Sequence, residues 1–87
     1  MKLDLNTLEI RILLKCDERL LARSYLTPLY YKYSLEERQQ AIDTLIKKKY
    51  IAAIELPKPG AKITPIFYEI TDKGRAWVKD YLANYPK

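Results

Sequence analysis

Residues 34–78, SLEERQQAIDTLIKKKYIAAIELPKPGAKITPIFYEITDKGRAWV, decide the fold of this chain. Ser34 is a helix N-cap residue, and Glu37 three positions on completes a capping box. Ala41, Ile42, Leu45 and Ile46 then recur at helical spacing and give the helix one apolar side. Lys47, Lys48 and Lys49 fall in its last turn, where cations complement the helix dipole. Residues 50–56 are apolar and partly β-branched, a strand signal. Residues 57–62, PKPGAK, are a turn, with two prolines fixing φ and Gly60 free to take a positive one. Residues 63–70 form the return strand, on which Ile66, Tyr68 and Ile70 alternate onto one face. Thr71 caps a last helix, with Asp72 in its first turn.

What precedes this stretch reads as its support. Asn6 and Glu9 form a second capping box ahead of a helix carrying Leu8, Ile10, Ile12, Leu13 and Leu14, apolar on more than one stripe. Asp17, Glu18 and Arg19 mark a loop or a frayed end. Pro28 cannot sit in a helix interior, so a short second helix begins between Ser24 and Thr27 and ends at Ser34; a small leading strand near Leu26 also fits. Two helices joined by a tight turn are a helix-turn-helix arrangement. The last helix, residues 72–83, places Trp77, Val78, Tyr81 and Leu82 on one face.

Two stretches at the ends of the central helix and the return strand resemble a known family. Ile42-x-x-Leu45 followed by Lys48-Lys49-Tyr50-Ile51 is similar to a recognition helix running into a wing. Tyr68-Glu69-Ile70-Thr71-Asp72-Lys73-Gly74-Arg75 resembles the strand-to-helix junction of winged helix-turn-helix regulators of the MarR and PadR kind. The glycine usual before the wing strand is Lys49 here, and the usual apolar position four before Ile42 is Arg38. The resemblance implies an α+β domain over residues 1–87: three helices, a two-stranded β-hairpin wing and a C-terminal helix. The recognition helix spans about 34–49, the wing about 50–70 and the last helix about 72–83. It also implies a small transcription regulator that binds double-stranded DNA.

Composition bounds the alternatives. The 87 residues make one small domain, with 48% hydrophobic and 31% charged residues and a net charge of +5, compatible with a polyanionic partner. One cysteine, Cys16, allows no intrachain disulfide, and the absence of histidine removes the commonest general base and metal ligand. One cysteine makes no zinc site, and Gly60 and Gly74 make no phosphate-cradling loop. No nucleophile–base pair stands out, so the reading is a non-enzyme without a cofactor or metal. No leader or membrane span is visible, which points to the cytoplasm.

The DNA-binding candidates follow from the central helix and the wing. With Ile42, Leu45 and Ile46 inward, its outward face carries Glu36, Glu37, Gln40, Asp43, Thr44 and Lys47, with Gln39 at the edge. Gln39 and Gln40 suit adenine, and Arg38 suits guanine or a phosphate. Lys58 and Lys62 flank the wing tip, and Lys47, Lys48, Lys73 and Arg75 add phosphate contacts. The DNA-binding set is therefore Arg38, Gln39, Gln40, Thr44, Lys47, Lys58 and Lys62. Glu36, Glu37 and Asp43 oppose it by like charge. They favour a second reading, a winged-helix protein-interaction module within a larger assembly. Eight tyrosines against one phenylalanine point the same way: Tyr30, Tyr31 and Tyr33 cannot all face the core, and an exposed one can anchor a protein partner. Surplus apolar surface on the first helix (Leu3, Ile10 and Leu14 opposite Leu5, Leu8 and Ile12) and on the last (Trp77, Val78, Tyr81, Leu82, then Tyr85) predicts a homodimer through those two helices.

Overall fold

The computed structural model of the chain describes residues 3–22 and 33–85. Among them are three helices and a three-stranded antiparallel sheet, an α+β arrangement. In chain order they are α1 (Thr7–Glu18), β1 (Leu21–Ala22), α2 (Leu35–Lys47), β2 (Ile51–Glu55), β3 (Ile66–Ile70) and α3 (Asp72–Asn84). The expected helix between Ser24 and Ser34, the alternative strand near Leu26, and Tyr30 and Tyr31 lie outside the described residues.

Both capping boxes form. Asn6 Oδ1 accepts from the Glu9 N–H at 2.8 Å while Glu9 Oε1 accepts from the Asn6 N–H at 2.9 Å. Ser34 Oγ and Glu37 Oε1 make the same exchange at 3.0 and 3.2 Å. Each box satisfies two N–H groups at the helix start, which is why these starts are sharp. Helix α1 continues through Asp17 and Glu18, where the sequence suggests a loop, and a Lys15–Glu18 pair at 3.5 Å spans its last turn.

The two-stranded hairpin expected from the sequence is one part of a larger sheet. Its strand order is β1-β3-β2, with Leu21 opposite Tyr68 and Ala22 opposite Phe67. Two residues are too few to show an alternation, so β1 carries no sequence signal of its own. The return strand begins at Ile66 rather than Ile63, since Pro65 has no N–H to give the ladder. The register Ile51↔Ile70 and Ala53↔Tyr68 places Ile51, Tyr68 and Ile70 on one face, with Leu21 beside Tyr68. That face meets Leu5, Leu8, Ile12, Leu13 and Cys16 from the N-terminal side, Ala41, Ile42 and Leu45 from α2, and Trp77 and Val78 from α3. Ile10, Leu14, Ile46, Tyr81 and Leu82 close the margin of this core half-buried.

The end of α2 is shaped by Lys49. The Tyr50 N–H reaches the Leu45 carbonyl and the Lys49 N–H the Ile46 carbonyl, both at 2.9 Å, the bond pattern of a Schellman motif. Lys49 occupies the left-handed position of that motif with φ 66°. Glycine is the residue that normally fills it, since a Cβ there crowds the following carbonyl.

Candidate nucleic-acid interface

Burial of Ala41, Ile42 and Leu45 turns the opposite side of α2, Glu36, Gln40, Asp43 and Lys47, toward solvent. The seven sequence-predicted residues divide at this point. Arg38 is half-buried, and its Nε donates to the Ser34 carbonyl at 3.3 Å, so it folds back on its own helix. Gln39 Nε2 donates to Asp43 Oδ1 at 3.0 Å, one turn along. Gln40 and Thr44, with Glu37, line a cleft of about 380 Å³ whose other wall is the start of α1 from Asn6 to Glu9. Lys47 is exposed in the last turn, and its side chain makes no hydrogen bond or ion pair among the described residues. The base-reading pair expected from sequence, Gln39 with Gln40, is thus split: one amide serves Asp43, the other borders the cleft.

The β2–β3 hairpin, the expected wing, is built differently. Only Ile51 of β2 is buried, so the strand leaves the core as it runs toward the tip, and every residue from 55 to 64 is exposed. The Leu56 N–H donates to the Pro65 carbonyl at 3.2 Å and closes the ladder. At the tip the Ala61 N–H donates to the Lys58 carbonyl at 3.0 Å, with Pro59 second and Gly60 third at φ 82°, the signature of a type II turn. Pro57, Pro59 and Pro65 remove backbone freedom in advance, so the loop gives up little entropy when it meets a ligand. Lys58 and Lys62 flank this turn, exposed, and their side chains make no hydrogen bond or ion pair among the described residues.

The cations named as auxiliary phosphate contacts are engaged elsewhere, Lys47 excepted. Just beyond α2, the carbonyls of Lys48, Lys49 and Tyr50 point at the start of α3. There the Thr71 hydroxyl lies 2.6 Å from Lys49 O and 3.0 Å from Tyr50 O, the Thr71 N–H donates to Tyr50 O at 3.0 Å, and Lys73 Nζ donates to Lys48 O at 3.0 Å. Thr71 Oγ1 also accepts from the Gly74 N–H at 3.0 Å, as an N-cap does. Lys73 lies over the Tyr50 ring, 5.1 Å from its centroid, a cation–π contact. Arg75 pairs with Asp72 at 3.4 Å. Gly74 is buried against this junction: a Cβ there would fall on the Tyr50 carbonyl oxygen and the Ile70 side chain.

Sequence reasoning missed Asp4. Its carboxylate accepts from Trp77 Nε1 at 2.8 Å and from the Tyr50 hydroxyl at 2.9 Å. Lys48 Nζ donates to its carbonyl and lies 3.7 Å from its carboxylate. Burial alone pushes this carboxyl upward, but the bonds from Trp77, Tyr50 and its own N–H, with the Lys48 charge, outweigh it and hold the group below its ordinary value. The Tyr50 hydroxyl moves oppositely, to about 12, through burial first and then the adjacent Asp4. These contacts join residues 46 and 73 positions apart, so no local pattern announces them. The Cys16 thiol is buried and raised to about 12 by desolvation, which makes it a core thiol and not a nucleophile.

No helix among the described residues is long and apolar enough to cross a membrane. Comparison of the chain with protein-family models, curated proteins and solved structures finds no match.

Proposed function

We propose that the chain is a winged helix-turn-helix domain that binds double-stranded DNA as a small regulator. The β2–β3 wing supplies its main backbone contact, and Gln40, Thr44 and Lys47 of α2 lie nearest the groove. The observation that carries this reading is the wing itself. It is a pre-ordered loop outside the core whose two lysines are unpaired, whereas Lys48, Lys73 and Arg75 are held in intrachain contacts. Phosphate neutralisation by such lysines is independent of sequence and dependent on salt. Arg38 and Gln39 take part only if they leave their present partners.

The test is fluorescence anisotropy of a labelled duplex across a salt series. Lys58→Glu with Lys62→Glu is expected to weaken binding to any duplex and to flatten the log–log salt slope by about 1.8, two phosphates' worth. Unchanged affinity and slope would remove the wing from the interface. Absence of wild-type binding even at low salt would favour the protein-interaction module, which the exposed acids Glu36 and Asp43 on α2 already suit.

The proposal includes two-fold pairing through the first and last helices. The chain's own core takes most of the apolar surface that motivated it, including Leu8, Ile12, Leu13, Trp77 and Val78. What remains is a narrower strip of half-buried Ile10, Leu14, Tyr81 and Leu82 with exposed Leu3 and Tyr85. Along α3 the rings of Trp77, Tyr81 and Tyr85 stack at 5.2 Å steps, carrying this aromatic strip from the core to the surface.

A further inference from the structure

We infer that Ile63 is an apolar wedge that enters the minor groove of bound DNA and opens a base step. This rests on the DNA-binding reading and adds a mode of recognition to it. Ile63 is 82% exposed, more than any other exposed large hydrophobic residue described. A solitary exposed apolar residue is ordinary on a protein surface; three further observations separate this one. It lies between two backbone hydrogen bonds of the loop, the turn over residues 58–61 and the Leu56–Pro65 bond behind it. Lys62 adjoins it and Lys58 stands across the turn, both exposed and unpaired. The side chain is β-branched, so it has few χ1 states to lose on insertion.

The physics of the minor groove matches that set. The groove is too narrow for a helix but admits a thin loop, and its phosphate walls attract flanking lysines. An apolar side chain pressed between base pairs unstacks them and kinks the duplex away from the protein, toward the major groove. Such unstacking is cheapest at pyrimidine–purine steps, above all TA, so the wedge confers sequence preference without a hydrogen bond to a base. The two lysines call for an anionic occupant, and the narrowness of the apolar feature selects DNA over an anionic lipid surface. An interfacial membrane contact needs a broad apolar face, and the only other large exposed apolar residue of the wing is Leu56, at 43%.

The experiment uses the full chain and two duplexes of about 20 base pairs, a length on which bending is measurable, one with a central TA step and one with a central GC step. Donor and acceptor dyes on the duplex ends report bending, and anisotropy reports affinity. Wild type is expected to shorten the end-to-end distance of the TA duplex and to bind it about fivefold or more tightly than the GC duplex, the low end of a one-step penalty. Ile63→Ser is expected to abolish both the bend and the preference with the salt slope unchanged, whereas Lys58→Glu with Lys62→Glu lowers the slope itself. Ile63→Ser is a surface change, and a thermal melt matching wild type confirms that it folds. If Ile63→Ser bends and binds both duplexes as wild type does, the wedge is refuted while the DNA-binding reading stands. If wild type binds neither duplex at low salt, the DNA-binding reading fails and takes the wedge with it. Ile63-dependent flotation with vesicles of anionic lipid would assign the tip to a membrane surface and also overturn the proposal.

Discussion

Replacing Lys49 by glycine is expected to stabilise the protein, although lysine is the better helix former and glycine the more flexible residue. Lys49 sits at φ 66°, where an L side chain costs about 1–2 kcal/mol. Glycine removes that cost but gains freedom in the unfolded chain, which returns about 0.5–1 kcal/mol. The Schellman bonds from Lys49 and Tyr50 to the α2 carbonyls are backbone bonds and survive the change. The Lys49 side chain makes no contact that would be lost. The net gain falls within about 0–1.5 kcal/mol, and its centre, ~0.75 kcal/mol, corresponds to ~3–6 °C in melting temperature for a domain of this size. Thermal melts followed by far-ultraviolet circular dichroism, with urea unfolding as a second measure, read it directly. Lys49→Val supplies the opposite arm: a β-branched residue at the same φ is expected to destabilise. If Lys49→Gly proves destabilising, or Lys49→Val neutral, the left-handed turn is not what ends α2 and the reasoning fails.

Gly74→Ala is expected to cost about 3 kcal/mol or more, the upper range for overpacking, because the added methyl meets the Tyr50 carbonyl, backbone that cannot swing aside; a melt within 2 °C of wild type (about 0.5 kcal/mol or less) would contradict it. Leu45→Ala removes a fully buried side chain at the centre of the core and is expected to cost about 2–5 kcal/mol in urea unfolding, whereas a loss of a few tenths would mean that α2 faces the other way. Asp4→Ala removes the acceptor of the Trp77 N–H and the Tyr50 hydroxyl and, because the Asp4 side chain is 43% exposed and water can take its place, is expected to cost about 1 kcal/mol near neutral pH. Because the Asp4 carboxyl is held below its ordinary value, that contribution is complete above the unfolded value, about 4, and fades as pH falls through the folded value. The gap between wild type and Asp4→Ala should therefore narrow in acid, and a gap constant down to about pH 2 would show that the carboxylate charge plays no part. Light scattering at micromolar concentration checks the pairing: a mass near 10.3 kDa means a monomer, and in a dimer Tyr81→Ala lowers the mass while Lys62→Ala leaves it unchanged.

Local signals in the sequence are legible and long-range ones are not. Both capping boxes are complete within four residues, and each of the three described helices begins at the residue the sequence indicates. The Pro-Gly turn is equally local, and its bond from Ala61 to Lys58 follows from Pro59 and Gly60. Strand β1 is illegible because its only reason to extend is Tyr68 and Phe67, more than forty positions away. The fate of the lysines is illegible for a related reason. Lys48 and Lys73 look alike in sequence to Lys58 and Lys62, and only tertiary packing separates them: Lys48 meets the carbonyl and carboxylate of Asp4 ahead of α1, and Lys73 of α3 meets the Lys48 carbonyl at the end of α2. Arg38 and Gln39 depart from expectation because a long polar side chain on a helix edge can bond its own helix instead of facing outward.

The division between these residues bears on where function lies. From Ser34 to Ile51, and again from Tyr68 to Val78, most positions serve the fold. They cap a helix, pack in the core, or build the junction at which Thr71, Lys73 and Gly74 close over the end of α2. That junction ties the root of the β2–β3 hairpin to the end of α2 through Tyr50. The outer wing serves the fold in none of these ways. From residue 55 to 64 nothing is buried, and a short polar turn would join β2 to β3 as well as this loop does. Instead the chain keeps prolines, two unpaired lysines and a bare isoleucine there. Prolines lower the entropy that a loop gives up on meeting a ligand, lysines at its flanks draw in an anion, and an exposed isoleucine adds nothing to the stability of the free protein. The prolines also stabilise the free turn by restricting the unfolded chain, but the unpaired lysines and the bare isoleucine are neutral or unfavourable for the isolated chain, which is what the DNA-binding proposal accounts for. Under the proposed function, stacked bases between phosphate strands are the partner these features would meet, and that proposal holds for the β2–β3 loop whether or not α2 follows it into a groove.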